Sequence, residues 1–167
     1  GTLIDPGGID VAELIHAKGN GKNVCDHPRG NKCDRDAVID VDCDIWIPAA
    51  RPDVIRDDNV HRLKAKLVLQ GANIPFTLGA ERTLHQRGVL IVPDFIANAG
   101  GVICAAMEYQ GATQSSVFAA IAEKVGANTE MMLAQVQAQG VLPREAALDL
   151  ALRRLKRAMR YRRFSIF

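Results

Sequence analysis

Three short apolar runs constrain this chain more than any other feature: Asp44-Ile45-Trp46-Ile47-Pro48, Lys66-Leu67-Val68-Leu69-Gln70 and Val89-Leu90-Ile91-Val92-Pro93. Each is apolar without alternation, and the first and third are rich in β-branched residues. That pattern belongs to strands buried on both faces of a parallel sheet, because a half-exposed strand would alternate polar and apolar residues. Parallel neighbours need a crossover, and helix-length segments at residues 53–64 and 77–87 separate the runs. Both segments are predicted helices, the second capped by Thr77 and stopped by Gly88. The result is a strand–helix–strand repeat, an open α/β fold. After the third run the pattern turns helical over 98–110, 115–139 and 143–161, broken near Gly111 and at Gly140-Val141-Leu142-Pro143. Ahead of the first run, Gly8 to Ile15 reads as a short helix and Gly19 to about Asp36 as a polar loop.

Composition narrows the class. The 167 residues suffice for one domain with a core, and 48% hydrophobic with 24% charged residues is ordinary for a globular protein. No apolar run approaches the roughly 20 residues that span a bilayer, so no membrane role is expected. The opening Gly1-Thr2-Leu3-Ile4-Asp5-Pro6 has no basic leader or apolar h-region and no Met, and reads as the middle of something longer. Cys25, Cys33, Cys43 and Cys104 form no C-x-x-C pair, which points to a reducing, cytoplasmic setting. Cys25, His27 and Cys33 match no common zinc spacing and read as loop residues. His16, His27, His61 and His85 all read as surface residues. Residues 153–167 carry +7 with no acid, leaving −5 on residues 1–152. Leu152, Leu155 and Met159 recur there at helical spacing, so a docked helix with a solvated basic face is expected rather than a nucleic-acid patch.

An open parallel sheet binds ligands outside the carboxyl ends of its strands. The segments there are Pro48-Ala49-Ala50-Arg51-Pro52, Gly71-Ala72-Asn73 and Asp94-Phe95-Ile96-Ala97-Asn98-Ala99-Gly100-Gly101. Small residues let backbone approach a flat ring or a ribose, and an Asn offers both donor and acceptor. Singly, Asn73 is also a turn residue and Asn98 a cap for the helix it precedes. Three such loops together point to a cofactor site.

Ile47-Pro48-Ala49-Ala50, Gln70-Gly71-Ala72-Asn73 and the block Val92 to Val102 also resemble the C-terminal domain of the glutamate/leucine/phenylalanine/valine dehydrogenases. Asp5-Pro6-Gly7-Gly8-Ile9-Asp10 is similar to the family's stretch after the second strand of its nucleotide fold, and Ala147 to Arg163 to its last helix. The resemblance implies a partial Rossmann-like doubly wound sheet followed by C-terminal helices. It makes residues 1–167 one partial NAD(P)-binding domain, with the βαβ part at 1–97 and the helices at 98–167. It implies NAD or NADP as cofactor, oxidative deamination of an amino acid to a 2-oxo acid, and a homo-oligomer. By the same resemblance Ala49, Ala50 and Gly71 line the cofactor, Asn73 touches its ribose or nearby groups, and Asn98 meets the nicotinamide end. Val102 and Ala105 belong to the substrate pocket. Ala105 stands where glutamate-specific members have a Ser that helps hold the distal carboxylate. Gln70 stands where that branch commonly has Glu, although the Gly-Ala-Asn loop looks most like that branch.

The phosphate-binding turn of such a fold is not found. Gly19-Asn20-Gly21 follows no strand and does not complete G-x-G-x-x-G, and Gly100-Gly101 comes after the third strand. By resemblance that turn, the ribose-binding acid and the catalytic Lys and Asp lie ahead of Gly1. The numbered chain alone is therefore expected to bind NAD(P) poorly and to catalyse nothing. Without the fold's first strand, Asp44–Pro48 is expected to be an exposed edge, leading to self-association or to coverage by a rearranged segment. Two other readings stay open: another doubly wound oxidoreductase or ligase, and a non-enzymatic nucleotide-sensing or interaction module.

Overall fold

In the computed structural model, which describes residues 1–161, the three apolar runs form one parallel sheet. Its strands are β3 (Ile45–Trp46), β4 (Leu67–Leu69) and β5 (Leu90–Val92), in the order β3-β4-β5. Ile45 pairs with Leu67 and Trp46 with Val68, while Leu67, Val68 and Leu69 pair with Leu90, Ile91 and Val92. Parallel register puts the loops after all three strands at one edge. β3 has a sheet neighbour on one side only, and Ile45 and Ile47 beside it are 53% and 58% exposed.

The chain divides into two units, Gly1–Asp44 with His61–Ala65, and Ile45–Val60 with Lys66–Phe167. The first holds β1 (Thr2–Ile4), α1 (Val11–Gly19) and β2 (Asn31–Cys33). The Asp10 carboxylate caps α1 by accepting from the backbone of Ala12 and Glu13, so the helix starts later than the sequence pattern suggests. β1 and β2 pair antiparallel, with Leu3 opposite Lys32. The polar loop thus contains a strand that its composition concealed. His27 is buried rather than at the surface, being 5% exposed. Its Nε2 lies 3.4 Å from Glu13 Oε2, and its Nδ1 faces the Arg29 backbone. In this unit Arg62 clamps Asp40 through two donors, at 2.9 and 2.7 Å, and also donates to the Asp36 carbonyl.

In the second unit the sheet is followed by helices α2 (Leu78–Gln86), α3 (Asp94–Ala97), α4 (Gly100–Glu108), α5 (Gln114–Gln139) and α6 (Pro143–Tyr161). Thr77 Oγ1 caps α2 by accepting from Ala80 N. Gly140 ends α5 at φ 65°, a left-handed conformation that suits glycine and turns the chain into α6. The core gathers Val92, Ile96, Met132, Ala146 and Ala147, with Leu67, Leu69, Val136 and Leu150 packed around it. Trp46 and Phe76 add a tilted ring pair with centroids 6.1 Å apart.

Two helical expectations need correction here. Residues 53–64 are not a helix; within the segment only Val60–Arg62 forms a 3-10 turn. The reason is where the backbone donors go. Asp53 N and Ile55 N donate to the carbonyls of Ile74 and Pro75, Thr77 N donates to Ile55, and Ile55 forms a parallel bridge with Phe76. Those groups bond to the segment Ile74–Thr77 and are unavailable to a helical ladder.

The second correction concerns α6. Its first half docks through Ala146, Ala147 and Leu150. Leu152, Leu155 and Met159 are not docked but 51%, 55% and 62% exposed. At 3.6 residues per turn they share a stripe with Leu148 on the side away from the docked face. The basic residues Arg162 and Arg163 lie outside the described residues. Among the described residues no helix is long and apolar enough to cross a membrane.

Candidate functional site

The loops at the carboxyl edge of the sheet are stitched together. Ala72 N donates to the Pro48 carbonyl at 2.7 Å, joining the loop after β4 to the loop after β3. Gly71 sits so close to that loop that an added Cβ would lie 3.3 Å from Ala49 Cβ and 3.4 Å from the Pro48 oxygen. A larger side chain would push the two loops apart. Ala49, Ala50, Gly71 and Asn73 are exposed along this edge, and Asn98 is half-buried.

Asn98 Nδ2 donates to Asn73 Oδ1 at 2.7 Å, joining the loop after β4 to the turn after β5. Asn98 is the C-cap of α3, not the N-cap of the helix it precedes: its N–H donates to Asp94 O at 2.8 Å, and Ala99 occupies the start of α4. Its side chain is thereby free to reach Asn73. The two carboxamides spend one donor and one acceptor on each other. Whichever way they are turned, the pair keeps a spare amide donor and a spare carbonyl acceptor at an exposed edge.

Next to Asn73, Ile74 adopts φ 47°, and its partner Asp53 adopts φ 50°. A β-branched residue rarely takes a left-handed conformation, and two hydrogen bonds hold this one. Its N–H donates to Asp94 Oδ2 at 2.9 Å, and its carbonyl accepts from Asp53 N at 2.9 Å.

Beneath the loops lies a polar cluster that sequence reasoning missed. Gln70, at the end of β4, is 0% exposed, Glu81 of α2 is 5% and Asp94 of α3 is 7%. Gln70 Nε2 donates to Glu81 Oε1 at 2.8 Å, and Gln70 Oε1 accepts from Asp94 N at 3.0 Å. Arg144, in the first turn of α6, closes the cluster. It donates to both Glu81 oxygens at 2.7 Å, to Gln70 Oε1 at 2.9 Å and to Asp94 Oδ1 at 3.0 Å. Its guanidinium carbon also lies 5.5 Å from the Phe95 ring centroid. Burial works against the charge of Arg144, but the bonds to Glu81 and the nearby charges of Glu81 and Asp94 outweigh it and raise its pKa. One signal was available. A cation in the first turn of a helix opposes the helix dipole, so Arg144 needs acidic partners.

Val102 and Ala105 lie apart from this cluster on an exposed face of α4, Val102 at 77%. Val102 lines a cavity of about 340 Å³ with Ile103, Ala106, Met107, Gln110 and Lys124. Val102 and Ala105 themselves offer no side-chain hydrogen bond.

A parallel sheet with small-residue loops and a paired carboxamide at its carboxyl edge defines a Rossmann-type α/β protein. The chain belongs to the Glutamate/Leucine/Phenylalanine/Valine dehydrogenase family, whose model matches residues 1–163. It is 35% identical over 173 residues to a glutamate dehydrogenase of Aeropyrum pernix, covering 97% of this chain and 41% of the relative. It is 34% identical over 171 residues to an NAD-specific glutamate dehydrogenase of Staphylococcus aureus, covering 97% and 40%. An NADP-specific glutamate dehydrogenase of Saccharolobus shibatae is 39% identical over 109 residues, covering 65% and 26%. Among solved structures, the hetero-hexameric glutamate dehydrogenase of Thermus thermophilus in its Leu-bound form superposes with TM-score 0.83 at 26% identity, covering 99% of this chain and 40% of that one. The chain thus spans about two fifths of the length of the full-coverage relatives.

Proposed function

We propose that residues 1–167 are part of one NAD(P)-binding domain, the nicotinamide side of an amino-acid dehydrogenase. The reaction is oxidative deamination of an L-amino acid, glutamate first, to the 2-oxo acid and ammonia. The observation that carries this reading is the Asn73–Asn98 pair at the sheet edge. Its spare donor and acceptor match the carboxamide and ribose hydroxyls of a nicotinamide nucleoside. Ala49, Ala50 and Gly71 leave room for the ring beside it. When bound, the nicotinamide supplies the hydride acceptor for the substrate's α-carbon. The residues of this edge orient and hold the cofactor.

A second reading of the substrate rests on Val102 and Ala105. Their apolar side chains suit an amino acid with an apolar side chain, whereas glutamate needs a donor for its distal carboxylate. NAD and NADP both stand as cofactors, matching the names of the relatives. The four cysteines are free, in keeping with a reducing, cytoplasmic compartment. The hetero-hexameric assembly of the Thermus thermophilus relative supports an oligomer.

The test is an assay of the full polypeptide with NAD⁺ and NADP⁺ against L-glutamate, L-leucine, L-valine and L-phenylalanine. Cofactor reduction coupled to 2-oxo acid and ammonia is expected with at least one substrate; none with any would contradict the proposal. The 167 residues alone should show no turnover and only weak calorimetric binding of NAD⁺, and low-micromolar affinity would contradict that part.

A further inference from the structure

We infer that Asp94 and Arg144 are positioning residues for the Asn73–Asn98 edge. They impose the left-handed turn at Ile74 that brings Asn73 to Asn98. The inference rests on the reading of that edge as the cofactor's and adds to it the device that sets its geometry.

The connection runs through single atoms. Asp94 Oδ2 accepts from the Ile74 N–H at 2.9 Å, and Asp94 Oδ1 accepts from Arg144 at 3.0 Å. The same residue's carbonyl accepts from Asn98 N at 2.8 Å. One aspartate therefore fixes both ends of the carboxamide pair, one through its side chain and one through its backbone. Left to itself, Ile74 would leave φ 47°, since a β-branched residue is strained there and this side chain is 61% exposed, with little packing to retain it.

Asp94 is 7% exposed, so its carboxylate needs a counter-charge. Arg144 supplies it from α6, fifty positions further along the chain. The guanidinium fork also spans Glu81, and its planar geometry sets where Asp94 sits. A lysine would keep the charge and lose the fork. The site loops are thus held in register by the first turn of α6, through Asp94 rather than through Asn73 or Asn98 directly.

The test uses the full polypeptide with Asp94→Asn, Arg144→Lys and Arg144→Met. Asp94→Asn is isosteric and can still accept from Arg144, but its amide nitrogen then faces the Ile74 N–H and cannot accept from it. Amide exchange in peptides covering 71–77, measured without cofactor, should speed up by about tenfold in Asp94→Asn, as expected for the loss of one charge-assisted hydrogen bond. The cofactor KM should rise by a similar factor while the amino-acid KM stays within about twofold, because only the carboxamide edge has moved. Arg144→Lys should give the same split more weakly, and Asp94→Asn decides the matter if Arg144→Met does not fold. A merely structural role would lower the melting temperature without this KM split. Unchanged exchange over 71–77 in Asp94→Asn overturns the positioning role. Faster exchange with an unmoved cofactor KM overturns the cofactor assignment of the edge instead, so the two failures are told apart.

Discussion

Asn98 Nδ2 lies 2.7 Å from Asn73 Oδ1, a bond between side chains 25 positions apart that closes the edge of the parallel sheet. The pair contributes little to folding, because both residues keep access to water and an exposed neutral hydrogen bond adds little net stability. In the proposed function its value lies in fixing two carboxamides for the cofactor. Asn98→Ala in the full polypeptide should therefore leave the melting temperature within about 2 °C, yet raise the cofactor KM by roughly fivefold to tenfold, as the loss of about 1 kcal/mol of binding would. Differential scanning calorimetry and steady-state kinetics check the two halves of this statement.

Ile74 offers a substitution that improves stability. At φ 47° the side chain is strained and 61% exposed, so little burial is lost with it. Replacement by glycine removes strain of about 1–2 kcal/mol and costs about 0.5–1 kcal/mol in unfolded-chain entropy. Ile74→Gly should therefore raise unfolding stability by up to roughly 1.5 kcal/mol in urea titration, the reverse of what glycine does in most loops. A loss of that size would show that Ile74 is not strained.

The two faces of the C-terminal helices predict opposite outcomes. Met132 of α5 is 0% exposed within the core cluster, and Met132→Ala should cost about 2–5 kcal/mol. Leu155 of α6 is 55% exposed, and Leu155→Ala should stay within about 0.5 kcal/mol. Denaturant titration of both variants beside the parent separates the docked face from the stripe; equal losses would mean that Leu155 is covered.

These elements show how far the sequence could be read. The three strands were legible because a short unbroken apolar run between turn signals has few other uses, and α2 because Thr77 and Gly88 mark its ends. That the three loops share one edge followed from reading the strands as parallel. Residues 53–64 misled because their donors bond to Ile74 and Pro75, partners that no local pattern reveals. The stripe of Leu152, Leu155 and Met159 misled because periodicity shows that a face exists and not which face docks. The Gln70–Glu81–Asp94–Arg144 cluster is non-local in the same way, with Arg144 lying 63 positions from Glu81. Only the unfavourable place of Arg144 in its helix hinted at it.

Acid should loosen the first unit through Asp40. The side-chain bond from Arg62 holds its pKa below the ordinary aspartate value of 3.8, more than burial raises it. A carboxyl group depressed in the folded state contributes stability that is fully present above its unfolded value and is lost as pH falls through the folded one. In Asp40→Asn the acid limb of the stability curve should therefore flatten below about pH 4, with a small constant loss at neutral pH. Melting temperatures across that range, repeated at high salt to screen the pair, check the assignment.

The central claim is that the cofactor lies against the loops following the three strands. Hydrogen–deuterium exchange on the full polypeptide, with and without saturating NAD⁺ or NADP⁺, tests it most directly. The account predicts added protection in peptides covering 47–53, 70–75 and 93–99. Cofactor binding verified by calorimetry, with no added protection in any of those three stretches, would contradict it.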